Sequence, residues 1–186
     1  MRQGGWSQDL YVKAYLFAAR AHRGQTVPGT DLPYVTHVSL VSMEVLAALS
    51  AERGHDEDLA LQCALLHDVL EDTSVTYAQL VEEFGRAVAD AVRALSKDPS
   101  IPKHLRMNDS LRRIRQQRRE VWMVKLADRI TNLQPPPPHW TEVRIARYRD
   151  EAIEIHRALG EASEVLSSRL LLKIEEYGRG AGQAGP

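Results

Sequence analysis

Cysteine is almost absent: Cys63 is the only one in 186 residues. No disulfide can form within the chain, which fits a reducing cytosol and a cytoplasmic protein. Cys63 precedes an apolar run and is expected to be buried and inert. No apolar run approaches the length of a membrane span, and the N-terminus lacks the charged-then-apolar layout of a signal peptide. Net charge is only −1, so no global field drives the chain onto nucleic acid or a membrane. There is no Walker loop, no dinucleotide glycine motif and no CxxC pair. Ser-His-Asp catalysis has no elbow motif to start from. No stretch alternates apolar and polar residues with period two, so strands are not expected.

The chain does have ample apolar content, 44%, enough for the core of one domain. Helical spacing recurs along it, and the reading is all-α, with roughly seven to nine helices. Ser7 is a candidate N-cap for a first helix, which His22 closes and Gly24 stops. A lone His in that position is expected to be a hydrogen-bonded core residue. A second helix is expected from about Thr36 to Ala51. Asp56 caps a third, and Thr76 with Gln79 has capping-box spacing for a short one ending at Gly85. Further helices are expected over Arg86 to Ser96, Val121 to Leu133, Thr141 to Leu159 and Glu161 to Tyr177. The tetraproline 135–138 is an extended connector. Residues 1–178 read as a single domain and 179–186 as a disordered Gly-rich tail.

Charge is uneven along the chain. Glu52 to Asp90 holds ten acids against two bases, and Arg93 to Arg149 fourteen bases against five acids. An acidic, metal-holding half facing a basic half suits a phosphorylated substrate. The basic stretch Lys103 to Glu120, crowded by Arg112, Arg113, Arg115, Arg118 and Arg119, reads as a mobile helix, a lid, a polyanion contact or a solvated face. It lacks the aromatic interleaving of single-strand binders, and nucleic acid is not expected as a partner.

Chemistry concentrates in Ala64 to Thr73. On a helix, His67, Asp68, Glu71 and Asp72 fall within a wedge of about 140°. Leu65, Leu66, Val69 and Leu70 cover the opposite face. Three close carboxylates repel unless a cation holds them, and a divalent metal is one such cation. A solvated acidic helix end fits the same pattern. His37 stands at the start of its helix. Asp128 and Asn132 share one face at i, i+4, and a buried Asp128 needs Lys125, Arg129 or a metal as partner. His37, His67, Asp68 and Asp128 together offer two imidazoles and two carboxylates, a set that suits manganese, iron, cobalt or zinc.

These residues stand in the order of the HD-superfamily metal phosphohydrolases. The closer likeness is to the hydrolase half of RelA/SpoT proteins and to small stand-alone alarmone hydrolases. It is carried by Ala21-His22-Arg23-Gly24-Gln25, Pro33-Tyr34-Val35-Thr36-His37, Ala64 to Thr73, Phe84-Gly85, Lys125 to Asn132 and Trp140 to Tyr148. The resemblance implies an HD-domain helical bundle that cleaves the 3′-pyrophosphate from guanosine tetra- or pentaphosphate with manganese(II). It implies His37, His67, Asp68 and Asp128 as metal ligands and Glu71 and Asp72 as the catalytic acidic pair. Asn132 and Tyr148 then contact the nucleoside, and Lys103 and Arg144 face the phosphates.

The chain departs from that pattern where Thr26-Val27-Pro28 replaces basic residues after Gln25, where Val38 replaces a proline after His37, and at the tetraproline. An HD phosphohydrolase acting on another nucleotide is therefore an alternative, with ppApp or a 2′/3′-phosphorylated dinucleotide as substrate. A non-catalytic nucleotide-binding module is another. Composition leaves the native metal and a homo-oligomeric state open.

Overall fold

The computed structural model describes residues 5–177. The tail expected over 179–186 lies outside the described residues. Among them the fold is helical, and the only β pairing is an isolated bridge between Thr26 and Pro33. Ten α-helical segments follow in order, the third and fourth separated by only two residues, His67 and Asp68.

The chain opens with α1 (Gln8–Ala21), whose cap Ser7 accepts the Leu10 N–H on its side chain. Tyr34 leads into α2 (Val35–Ala51) without a side-chain cap. Next come α3 (Glu57–Leu66), capped by Asp56, and the four-residue α4 (Val69–Asp72). The capping box forms on α5 (Tyr77–Phe84): Thr76 Oγ1 accepts the Gln79 N–H at 3.3 Å, and Gln79 Oε1 accepts the Thr76 N–H at 2.8 Å. Gly85, at φ +83°, joins α5 to α6 (Arg86–Leu95) in a conformation that strains any residue with a Cβ.

A 3₁₀ turn at Lys103–Leu105 precedes α7 (Arg106–Arg115). The expected basic segment is thus broken before α8 (Arg119–Asn132) begins. Much of its charge is structural. Arg113 donates to the carbonyls of Arg93, Ala94 and Ser96 at 2.7–3.0 Å and so closes the C-terminus of α6. Arg112 and Arg113 share Asp109, and Arg118 reaches Asp56 and Glu120. Thr141 caps α9 (Glu142–Leu159). The last helix starts later than expected. Gly160–Ala162 forms a 3₁₀ turn, and Ser163 then caps α10 (Glu164–Glu176).

Two helices are buried nearly all round and form the centre. Every residue of α3 from Leu59 to Leu66 is buried, as is α8 from Glu120 to Thr131. A helix without a solvated face has to be wrapped by others. Accordingly α2 packs on both, α1 covers α3, and α9 and α10 cover α8. Leu61, Leu65, Leu66 and Leu126 are fully buried, each stabilising by roughly 1.5–3 kcal/mol. Cys63 lies in this core with no exposure, and burial pushes its thiol pKa up, so it is inert as expected.

Candidate active site

The site lies where the N-terminus of α2, the end of α3 and the second half of α8 meet. His37 Nε2 is 3.3 Å from His67 Nε2, 3.7 Å from Asp68 Oδ2 and 3.5 Å from Asp128 Oδ1. His67 Nε2 is 2.9 Å from Asp68 Oδ2 and 3.7 Å from Asp128 Oδ1. His37, His67 and Asp128 are less than one-tenth exposed.

The local backbone at this point corrects the continuous helix read from the sequence. His67 and Asp68 form a break between α3 and α4. Asp68 sits at φ −101°, ψ −3°. The His67 ring satisfies the carbonyl that the break exposes, its Nδ1–H donating to Ala64 O at 2.8 Å. That bond leaves Nε2 as the nitrogen facing the cluster. His67, Asp68, Glu71 and Asp72 nevertheless open onto one cavity of about 150 Å³, as the wedge implied.

Each donor is held by a neighbour. Tyr34 Oη donates to Asp68 Oδ2 at 2.5 Å. Lys125 Nζ lies 2.8 Å from Asp128 Oδ2, and Asn132 Nδ2 donates to Asp128 Oδ1 at 2.6 Å. A further brace comes from α1. His22, buried as expected, donates from Nδ1 to Gln25 Oε1 at 2.7 Å, and Gln25 Nε2 donates to the Asp72 carbonyl at 2.6 Å. The His22 ring stacks on Tyr34 with centroids 4.5 Å apart.

The electrostatics fit a divalent cation. Burial disfavours charge on His67, yet Asp68 and Asp128 lift its pKa well above the usual histidine value. Burial would also raise the two aspartates. His67 overrides it at Asp68, and Lys125 with both histidines overrides it at Asp128, so both carboxyls are held well below the ordinary range. Two imidazole nitrogens 3.3 Å apart need a proton or a cation between them. The cavity carries four carboxylates, Asp68, Glu71, Asp72 and Asp128, against the ammonium groups of Lys97 and Lys125. This excess of carboxylates, with a mixed N/O donor set, suits a divalent metal.

Lys97 lies on a loop where the sequence carried no signal. Its Nζ is 2.9 Å from Glu71 Oε1, and its backbone N–H donates to Glu71 Oε2 at 2.8 Å. Tyr34 likewise carries no signal of its own in the sequence, although it stands in the block leading to His37. Of the candidates for substrate contact, Asn132 lines the cavity, whereas Lys103, Arg144 and Tyr148 do not. Lys103 begins the 3₁₀ turn before α7 and is exposed. Arg144 lies over the Trp140 ring at 4.0 Å. Tyr148 packs under Arg129 at 4.4 Å, edge-on to Trp140 and tilted against Tyr177.

A helical bundle that brings His37, His67 and Asp128 together with their donor atoms within 4.8 Å of one another, and sets Asp68 beside both histidines, carries a metal-site-like group of the HD kind. The chain belongs to the HD-domain family, whose model matches residues 14–165. It is 31% identical over 166 residues to the guanosine-3′,5′-bis(diphosphate) 3′-pyrophosphohydrolase MESH1 of Xenopus tropicalis, covering 87% of this chain and 90% of that one. It is 36% identical over 172 residues to the bifunctional (p)ppGpp synthase/hydrolase SpoT of Escherichia coli K12. That match covers 89% of this chain but 23% of SpoT. The solved structure of a metazoan ortholog of SpoT, described as hydrolysing ppGpp, superposes with a TM-score of 0.80 at 27% identity. The superposition covers 94% of this chain and 99% of that one.

Proposed function

We infer that this protein is a manganese-dependent hydrolase that removes the 3′-pyrophosphate of guanosine tetra- or pentaphosphate, leaving GDP or GTP and pyrophosphate. One observation carries the inference. His67, Asp68 and Asp128 share a cavity with Glu71 and Asp72, and His37 Nε2 lies 3.3 Å from His67 Nε2 and 3.5 Å from Asp128 Oδ1. The chain around this cluster parallels a hydrolase of that activity over most of both lengths.

His37, His67, Asp68 and Asp128 would hold the ion. When bound, a divalent metal makes water easier to deprotonate and polarises phosphoryl oxygen. Glu71 faces the same space and is placed to orient a water or take its proton. Asp72 is the second acid of the pair. Burial first, then Asp68 and Glu71, raise its pKa, so it holds a proton more readily than an ordinary aspartate. Attack at phosphorus expels the ribose 3′-oxygen. Lys103 and Arg144 are our candidates for phosphates beyond the cavity. Asn132, on its wall, and Tyr148, in the aromatic cluster with Trp140 and Tyr177, are those for the nucleoside. The cytoplasm is the compartment that the single buried thiol suits.

A second reading concerns the base. The loop at Val27 is closed on its own backbone, Val27 N–H to Leu32 O at 2.9 Å and Thr30 N–H to Val27 O at 3.0 Å. Thr26, Val27 and Pro28 offer no guanidinium to stack on a purine or bond its edge. That favours an enzyme tolerant of adenine, with ppApp as a substrate beside ppGpp. The test is a panel of phosphorylated nucleotides incubated with manganese, with products resolved by chromatography. Pyrophosphate with GDP or GTP is the expected outcome. Orthophosphate as sole inorganic product, or no turnover of 3′-diphosphates, would overturn the reading.

A further inference from the structure

Lys97 has no part in the chemistry above, yet it is joined to Glu71 twice, and the two bonds differ in permanence. Its backbone N–H is fixed by the loop that follows α6. The Ser96 carbonyl accepts from Arg113 at 2.8 Å, and Asp98 Oδ1 accepts from the Ser100 N–H and hydroxyl at 2.9 and 2.6 Å. The ammonium, by contrast, ends a chain of four rotatable bonds on a side chain 45% exposed. Lys125, the other ammonium on the cavity wall, is 11% exposed and anchored on Asp128 at 2.8 Å. Asp68, Asp72 and Asp128 otherwise present negative charge to an entering polyanion.

We propose that Lys97 is a substrate-binding residue with an exchangeable partner: its ammonium caps Glu71 in the free protein and moves to the substrate's phosphoryl oxygens on binding. Glu71 is then held by the Lys97 backbone N–H alone, still oriented but free to accept a proton. The proposal rests on the hydrolase reading above. Exchange requires a ligand that binds the ammonium better than the carboxylate does. A 3′-diphosphate concentrates charge beside the reacting phosphorus, whereas a singly charged diester does not. The exchange therefore acts as a filter for oligophosphates.

The test compares metal-loaded wild type with Lys97→Met, Lys97→Gln and Lys97→Arg on ppGpp and on bis(p-nitrophenyl) phosphate. The Met and Gln variants should raise KM for ppGpp by roughly tenfold or more, the loss of one charge-assisted bond. Their kcat/KM for the diester should stay within about twofold or rise, because Glu71 is uncapped. Arg should keep most of the affinity for ppGpp. If Lys97 only positions Glu71, both substrates fall by the same factor, and that result overturns the proposal. An unchanged KM for ppGpp overturns it as well. Both results leave the hydrolase reading intact, because wild type releases pyrophosphate in the same assay. A wild type that releases none refutes that reading, and the proposal with it.

Discussion

Removing the divalent metal should lower the melting temperature by a predictable amount. The donors come from α2, the α3–α4 break and α8, three parts of the chain up to 91 residues apart, from His37 to Asp128. Unfolding separates them, so an ion held by all four binds the folded state alone. Such a ligand stabilises by about 2.7 kcal/mol at a hundredfold excess over its Kd. For a chain of this size each kcal/mol shifts Tm by about 2–4 °C, so saturated and chelated protein should differ by about 5–11 °C. The donors ride on helices whose other residues make the core, Val38 and Val41 on α2 and Leu126 and Ile130 on α8 among them. Chelation should therefore shift the unfolding transition without abolishing its cooperativity. The assay is thermal unfolding in chelator and in manganese, with Kd taken from calorimetry. Asp68→Ala should remove both the shift and the turnover. Equal melting temperatures at a hundredfold excess, or a wild-type shift in Asp68→Ala, would refute the ligand set.

Tyr34→Phe deletes the hydroxyl that donates to Asp68 at 2.5 Å, and should weaken metal affinity roughly 10–100-fold with the fold intact; competition against a chelating dye measures it. Glu71→Gln should leave metal bound and reduce turnover about 10²–10⁴-fold, since the amide accepts no proton; an unchanged rate removes Glu71 from the mechanism. Thr76→Ala removes the acceptor of the α5 capping box and should cost about 1 kcal/mol in urea unfolding, with turnover unaffected.

Helices could be read wherever a cap and an apolar stripe coincided, as at Ser7, Asp56, Thr76 and Thr141, because both signals are local. The break at His67–Asp68 was not readable. Spacing alone continues the helix, and it is the His67 ring on the Ala64 carbonyl that accommodates the interruption. Nor was the role of Arg113, since a basic run looks the same whether it faces solvent or closes another helix. Lys103, Arg144 and Tyr148 entered by resemblance rather than by spacing, and the cavity wall does not include them.

Lys97 marks the limit of sequence reading most clearly. It meets Glu71 across 26 residues because α5 and α6 fold back on one another. The joint between those helices is Gly85, at a positive φ that strains side-chain-bearing residues. A lysine after a helix is indistinguishable from a surface lysine until that joint is built. The charge filter proposed for the site thus depends on a glycine that touches none of the reacting groups. Gly85→Ala should accordingly disturb the Lys97–Glu71 pair while leaving His37, His67, Asp68 and Asp128 on their own helices. Loss of discrimination between ppGpp and a simple diester, with metal affinity retained, would separate the two halves of the site.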